Sequence, residues 1–460
     1  MAEKTRIHFS GVGGFGMSAL AQMHAMDGAP ATGSDRLFDR GGNQALKDKL
    51  LALGIELFPQ DGSAVTRRTD LAVLSTAIED DNPEVAAAKR LGVPIMHRSE
   101  LLARHVAGMR TIAVTGTSGK STVAAMIFEI LEAAGRSPSI ITGGNLLRLR
   151  ERGFFGNAFR GKSDLLVIEA DESDGSLLNY RPAVGVFLNL TKDHKEIPVL
   201  VDFLRKFRAN VRTALVNADD PNLSGLGGDS TFGLEQGRVR AEALRLSPRE
   251  SRFRIAGEEF VVPLPGRYNV ENSVAAVAAA LNEGVSLADC RRALADYRGV
   301  ARRFQSLGEA RGVEVVDDFA HNPAKVAAAL SAAHLRADRV LAVYQPHGFA
   351  PTKLLKSELI EAFASGLRDE DRLWLPDIYY VGGTTSQDIS SRDVTEPLRA
   401  RGRKACHVPR RADITSLVAA EARAGDLVLV MGARDPSLTD FAREILAALA
   451  RVDQAAAPGL

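Results

Sequence analysis

The chain has 460 residues, 45% hydrophobic and 25% charged, a composition of globular proteins and a length that suits roughly three domains. Its formal net charge of +1 excludes a global field that would draw nucleic acid or an anionic membrane. No run of about 18 apolar residues reads as a membrane span, and the two cysteines, Cys290 and Cys406, form neither a metal spacing nor a disulfide framework, which fits a reducing cytoplasm.

The first segment, "MAEKTR", leads into a strand without a signal-peptide h-region. A short apolar strand, Ile7 to Phe9, runs into Gly11, Gly13, Gly14 and Gly16 and then a helical pattern. "APATGSD" reads as a second strand ending at Asp35, and "LAVLSTAI" (Leu71 to Ile78) as a third. "NPEVAAAKRLG" predicts a helix with Asn82 as N-cap and Pro83 at the first helical position. "VPIMHRSELLARHV" repeats the strand-to-helix step, so residues 1–108 are expected to form a Rossmann-like, doubly wound α/β domain. "GVGGFG" satisfies G-x-G-x-x-G, with an acid, Asp35, about 20 residues later. Its glycines let a backbone approach a diphosphate, and the helix N-terminus favours negative charge. A ligand-free strand–helix turn is the alternative.

The second unit, 109–297, opens on "TIAVTGTSGKST". Gly116 and Gly119 release backbone N–H groups toward phosphate oxygens, Lys120 adds a point charge, and Ser121 or Thr122 can hold Mg²⁺. The spacing is shorter than that of the usual P-loop. A lysine in such a loop is expected to contribute little to a core. "SDLLVIEADESDGS", "AVGVFLNLTKDH" and "TALVNADDP" are apolar strands with acidic ends, where ligands of parallel sheets bind. Glu169, Asp171, Glu172 and Asp174 follow one strand; Asp193 and His194 follow the next. A carboxylate plus an imidazole could anchor a divalent ion, whereas Glu172 and Asp174 also read as a solvated face. The stretch from "STFGLE" to "VVPLP" alternates like a small antiparallel excursion, before "GRYNVENSVAAVAAALNEG" returns to helix.

The third unit, 298–460, carries strands at "VEVVDDFA", "RVLAVYQPH", "RLWLPDI" and "DLVLVMGA" between helices, again α/β. Arg302 and Arg303 in "RRF" suit bidentate phosphate contacts, with surface ion pairing as the alternative. Asp317, Asp318 and His321 end a strand.

Taken together, "IHFSGVGGFGMSALA", "GTSGKST", "EADESDGSLL", "GRYNVENSVAAVAAA", "RRFQSLGE", "VVDDFAHNP" and "VYQPH" follow one another in a known order over nearly the whole chain. In this the chain resembles the Mur ligases, the ATP-dependent amide ligases of peptidoglycan precursor synthesis, and among them those that add L-alanine. The resemblance implies three domains: a Rossmann-like domain for a UDP-sugar, a central P-loop-type ATPase domain, and a Rossmann-like C-terminal domain that closes for catalysis. It implies ATP and Mg²⁺ as cofactors and UDP-N-acetylmuramate plus an amino acid or peptide as substrates, in a cytoplasmic monomer or homodimer. By that resemblance Gly11, Gly13, Gly14 and Gly16 approach the UDP diphosphate, with Ser34 and Asp35 toward the uridine. Gly116, Thr117, Ser118, Gly119, Lys120, Ser121 and Thr122 hold the ATP phosphates and Mg²⁺, with Glu169 and His194 as further metal ligands. Asn272 faces adenine, Arg303 the phosphates and Asp318 the ribose, while His321 and His347 lie near the incoming amino acid.

The sequence departs from the family at a few points. Ser118 stands where His or Asn is usual, and Glu196 where an aspartate often follows "DH". After "QPH" the alanine-adding members usually carry two arginines; here Gly348 and Pro351 stand there, with Lys353 as a nearby flexible cation. A ligase that attaches a preformed peptide to the same sugar, a paralogue with another acid–amine pair, and a non-catalytic nucleotide sensor are the alternatives. A nucleotide-dependent oxidoreductase using "GVGGFG" for NAD would leave "GTSGKST" without a purpose.

Overall fold

The computed structural model describes residues 4–75, 78–172, 175–191, 196–380 and 386–456, with side chains to residue 451. The architecture is α/β throughout, built on parallel sheets. Two compact units result: Met1–Glu242 with Arg254–Val261 and Glu271–Val300, and Ala243–Phe253 with Val262–Val270 and Ala301–Leu460.

The first unit holds two sheets. The five-stranded one runs Glu56–Phe58, Ala31–Ser34, Ile7–Ser10, Leu71–Leu74, Ile95–His97, all parallel. This is the 3-2-1-4-5 order of a nucleotide-binding fold, whose ligand lies beyond the carboxyl ends of the strands. Its first helix, Phe15–Met26, starts directly behind the glycine loop, with Gly14 as N-cap. Asn82 caps the helix Pro83–Leu91 by accepting the Glu84 N–H, and Gly92 ends it in the left-handed region, as the Asn-Pro start and glycine stop predict.

The eight-stranded sheet places Arg110–Thr115 between Val184–Phe187 and Leu165–Glu169, both parallel to it. Strand order reverses around Arg110–Thr115, so the loop that follows it sits at a switch point, where such sheets bind ligands. The next helix, Lys120–Ala133, is buried all round from Ser121 to Leu131, which explains its apolar sequence on every face. The expected antiparallel excursion begins later than its alternation suggests. Ser230–Gly233 and Val239–Arg240 are two more parallel strands of this sheet, and only Glu242–Leu246, Ser251–Ile255 and Glu258–Val262 form a separate small sheet. Alternation marks a half-buried strand but not its direction.

In the second unit a six-stranded sheet runs Gln305–Ala310, Val313–Asp318, Leu427–Gly432, Val340–Gln345, Arg372–Leu375, Ala405–His407. Only the first pair is antiparallel. Val340, Ala342 and Tyr344 pack into one core and Leu341 and Val343 into the opposite one, so both faces are covered. That double burial is why these strands read as continuous apolar runs.

Candidate active site

Beyond the first sheet, the glycine loop borders a cavity of about 430 Å³ lined by Gly11, Gly14, Gly16, Asp35, Arg36 and Arg98, among others. Gly11 has φ +81°, and a Cβ there would lie 2.7 Å from Ser75 Oγ, so both backbone and space require glycine. Asp35 organises the loop: one carboxylate oxygen accepts the Gly13 N–H at 2.8 Å and the other the Leu37 N–H at 2.8 Å. Ser34 is fully buried, outside the cavity lining, and its carbonyl accepts the N–H groups of Gly11 and Val12. The two arginines of the lining, Arg36 and Arg98, have no motif around them, and sequence reasoning passed over both.

The loop is also held from the central sheet. Asn157, fully buried, donates to the Phe15 carbonyl at 2.8 Å and to Ser18 Oγ, and accepts from Gln22 Nε2 at 2.8 Å. Beneath the loop, buried Glu84 bonds His8 Nε2 at 2.9 Å and accepts from Ser10. Burial acts to raise the Glu84 carboxyl, but the His8 and Ser10 bonds outweigh it and hold it below the usual value.

At the switch point of the second sheet, residues Gly116–Thr122 wrap the end of the strand. Gly119 takes φ +90°, and a Cβ there would come within 2.4 Å of Asn272 Oδ1, so Asn272 lies directly against the loop. Asn189 fixes the loop by accepting the Ser118 N–H at 2.9 Å and donating to the Ser118 carbonyl at 3.0 Å. Thr117 Oγ1 bonds the Thr191 backbone from the same side. Ser121 and Thr122 are buried in the first helical turn. Lys120 is not a solvated loop lysine: its side chain is 14% exposed, and Nζ lies 2.7 Å from both Glu172 and the Gly116 carbonyl. Burial lowers its pKa, but Asp171 and Glu172 outweigh that and keep the ammonium firmly charged. Glu172 is buried in turn, not part of a solvated face, and burial pushes its carboxyl up.

Glu169, at the end of its strand, accepts from Ser121 Oγ at 3.0 Å, from the Gly143 N–H at 2.8 Å and from Thr142 Oγ1. Thr142 lies in a loop remote from any motif, and Asn189, although inside "AVGVFLNLTKDH", gave no sign of its role because its partner Ser118 lies 71 residues away. Among the described residues no three His, Cys, Asp or Glu side chains gather as a metal set. The hydroxyl and carboxylate oxygens of Ser121 and Glu169 are the hard donors that Mg²⁺ takes while keeping its waters. Asp174, Asp193 and His194 lie outside the described residues.

In the second unit Asp318 accepts the N–H groups of Phe304 at 2.6 Å and Ala320 at 2.7 Å. Burial pushes its carboxyl up to about 6, against the pull of Arg303 and those two bonds. Arg303 stacks on the Phe319 ring, 4.6 Å from its centroid, and Arg302 bonds Asp317 and the Gly432 carbonyl. His321 and His347 meet edge to face with centroids 5.5 Å apart. His321 Nδ1 bonds the Phe319 carbonyl and Nε2 lies 3.5 Å from Lys325 Nζ. Burial, then Lys325, drives its pKa well below the ordinary value, so the imidazole is neutral. Gly348 has φ +70°, a conformation costly for arginine. Lys353 bonds Asp388 on the exposed surface, so its charge is already committed.

Three family models match the chain: the Mur ligase family catalytic domain over residues 6–110, the Mur ligase middle domain over 114–280, and the Mur ligase glutamate ligase domain over 302–434. The chain is 34% identical over 458 residues to a UDP-N-acetylmuramate–L-alanine ligase of Pelotomaculum thermopropionicum, covering 95% of this chain and 96% of that one. It is 36% identical to the enzyme of the same name from Synechococcus sp. strain RCC307, covering 93% of each. Among solved structures it is similar to the UDP-N-acetylmuramate-alanine ligase of Thermotoga maritima, with TM-score 0.79, 26% identity and coverage of 98% and 99%. A murein peptide ligase from Psychrobacter arcticus shares the fold at TM-score 0.69 and 20% identity, over 99% and 100% of the two chains.

Proposed function

This chain belongs to the Mur ligase family, and from that premise we propose how its residues carry out the reaction. It is an ATP-dependent ligase of peptidoglycan precursor synthesis that forms an amide bond between UDP-N-acetylmuramate and L-alanine. The domain division 1–108, 109–297 and 298–460 is part of the proposal, as is a cytoplasmic location; no helix among the described residues is long and apolar enough to cross a membrane.

The UDP diphosphate lies against Gly11, Gly14 and Gly16 at the N-terminus of the helix Phe15–Met26, where the first N–H groups have no helical partner. Arg36 and Arg98 of the same cavity supply its counter-charge. ATP phosphates lie on the loop Gly116–Thr122, with Asn272 toward adenine and Asp318 toward the ribose. Ser121, Glu169 and His194 would hold Mg²⁺, which would neutralise charge on the phosphate oxygens.

The muramate carboxylate attacks the γ-phosphorus, the bond to the ADP oxygen breaks, and an acyl phosphate forms. Two anions meet in that step, so cations must offset their repulsion. Lys120, held protonated within its acidic cage, moves from Glu172 to the phosphates, and Arg303 adds a second charge. The neutral amine of the amino acid then attacks the acyl carbon, a tetrahedral intermediate forms and phosphate leaves. His321 and His347 border this second half, and the neutral Nε2 of His321 is able to accept the proton the amine loses.

The observation that carries this reading is the Lys120 ammonium poised at a strand-order reversal, beside a carboxylate–hydroxyl pair. The test is ADP release by the purified protein with ATP, Mg²⁺ and UDP-N-acetylmuramate across L-alanine, glycine, L-serine and short peptides. Release that depends on L-alanine is expected. Release that requires a peptide instead, or that ignores the sugar nucleotide, overturns the reading.

A further inference from the structure

The amine-side end of the second unit contains one more cation whose geometry is unusual. Arg434 follows the strand Leu427–Gly432, which lies between Val313–Asp318 and Val340–Gln345 in the sheet. Both neighbours are parallel to it, and Asp318 is opposite Met431 while Gln345 is opposite Gly432. The chain beyond one neighbour delivers His321 and beyond the other His347. Arg434 therefore follows a strand that ends between the two strands leading to the histidine loops, at the same edge of the sheet, where neighbouring strands lie about 4.8 Å apart.

Its backbone has φ +40°. A non-glycine residue adopts this region at a cost and keeps it only where the surroundings over-determine it. They do so here. The Gly432 carbonyl accepts from Arg302 Nη2 at 2.7 Å. Asp435, 1% exposed, bonds Arg411 at 2.7 Å and takes the Ser437 N–H at 2.9 Å. Arg411 also reaches Ser437 Oγ at 2.9 Å. The turn is pinned on both sides while the Arg434 side chain is exposed, with no hydrogen bond or ion pair to any described residue. Strain is thus retained in order to hold a guanidinium at a ligand-binding edge. No other guanidinium is offered by the neighbouring stretch, where Gly348 and Pro351 precede a lysine already bonded to Asp388.

We propose that Arg434 is the residue that binds the carboxylate of the incoming amino acid, so that this site selects amines bearing an adjacent carboxylate. The planar fork matches a carboxylate bidentately, and Lys325 beside His321 adds positive charge at the same edge. This inference rests on the ligase reading above and names a residue for its second substrate.

The experiment is steady-state ADP release with saturating ATP and UDP-N-acetylmuramate, using L-alanine or L-alaninamide as the amine. Arg434→Ala is expected to raise KM for L-alanine at least tenfold, leave KM for ATP and for the sugar nucleotide unmoved, and shift L-alaninamide far less. Arg434→Lys should recover part of the loss. Arg434→Gly should melt at a higher temperature than the parent, because glycine tolerates the turn, yet show the same KM defect as Arg434→Ala. An unchanged KM for L-alanine in Arg434→Ala overturns the proposal, as does an equal shift for both amines. Absence of L-alanine-dependent release by the unmodified protein overturns the ligase reading, and this inference with it.

Discussion

Replacing Lys120 by alanine separates two roles that the sequence cannot distinguish. Lys120 Nζ lies 2.7 Å from Glu172, and the two side chains are 14% and 5% exposed. Removing one member of a buried pair typically costs about 3–5 kcal/mol, because the other is left buried without compensation. For a cooperative unit of this size each kcal/mol lowers the melting temperature by about 2–4 °C, so a drop of about 6–20 °C is expected near pH 8. With the ammonium gone, the main opposition is lost to the burial that already raises the Glu172 carboxyl. A raised carboxyl pKa destabilises at high pH, so the drop should shrink as pH falls and Glu172 takes a proton. The double variant Lys120→Ala/Glu172→Gln removes both charges and should melt within a few degrees of the parent. Turnover should behave differently: both variants lose a phosphate-facing charge and fall at least about 100-fold. Thermal melts from pH 5 to 8 and ADP release check the two expectations. If Lys120→Ala melts like the parent at pH 8, the pair does not hold the loop as argued. If the double variant recovers turnover, Lys120 is not the phosphate cation.

Glu129, buried on the phosphate-loop helix and bonded to Arg148, is pushed by burial to about 7. Its contribution to stability is therefore full below the unfolded carboxylate value of about 4.3 and is lost as pH rises through about 7. Melts of the parent and of Glu129→Gln should diverge across that window, with the parent losing stability relative to the variant. Asn157→Ala removes the three buried bonds that tie Phe15, Ser18 and Gln22 to the central sheet, and should raise KM for UDP-N-acetylmuramate several-fold while KM for ATP stays put. Excess chelator should abolish ADP release, and Glu169→Ala should raise the Mg²⁺ concentration for half-maximal activity about 10–100-fold, which a Mg²⁺ titration reads directly.

The elements that the sequence made legible are those where one local requirement dominates. Gly11 and Gly119 sit where only a glycine avoids both a positive-φ cost and a collision, so each motif mirrors a geometric need. The strands around Val114, Val343 and Val430 announce a parallel sheet because burial on two faces permits little else. What stayed hidden depends on chain segments meeting across long separations. Asn189 holds Ser118 from 71 residues away, and Asn157 holds Phe15 from 142. An asparagine in a loop has no sequence pattern that marks it as a clamp. Glu172 is the sharper case. In "EADESDGS" it is one acid among four, with the composition of a solvated turn, and the feature that buries it is the ammonium of Lys120, 52 residues earlier. The same logic governs Arg434: "GARDPS" looks like an ordinary loop until the sheet order sets it between the strands that carry the two histidines. Local chemistry therefore identifies which groups can react. The pairing of distant segments decides which of them are charged, held or exposed, and it is there that the specificity of this ligase for its amine is set.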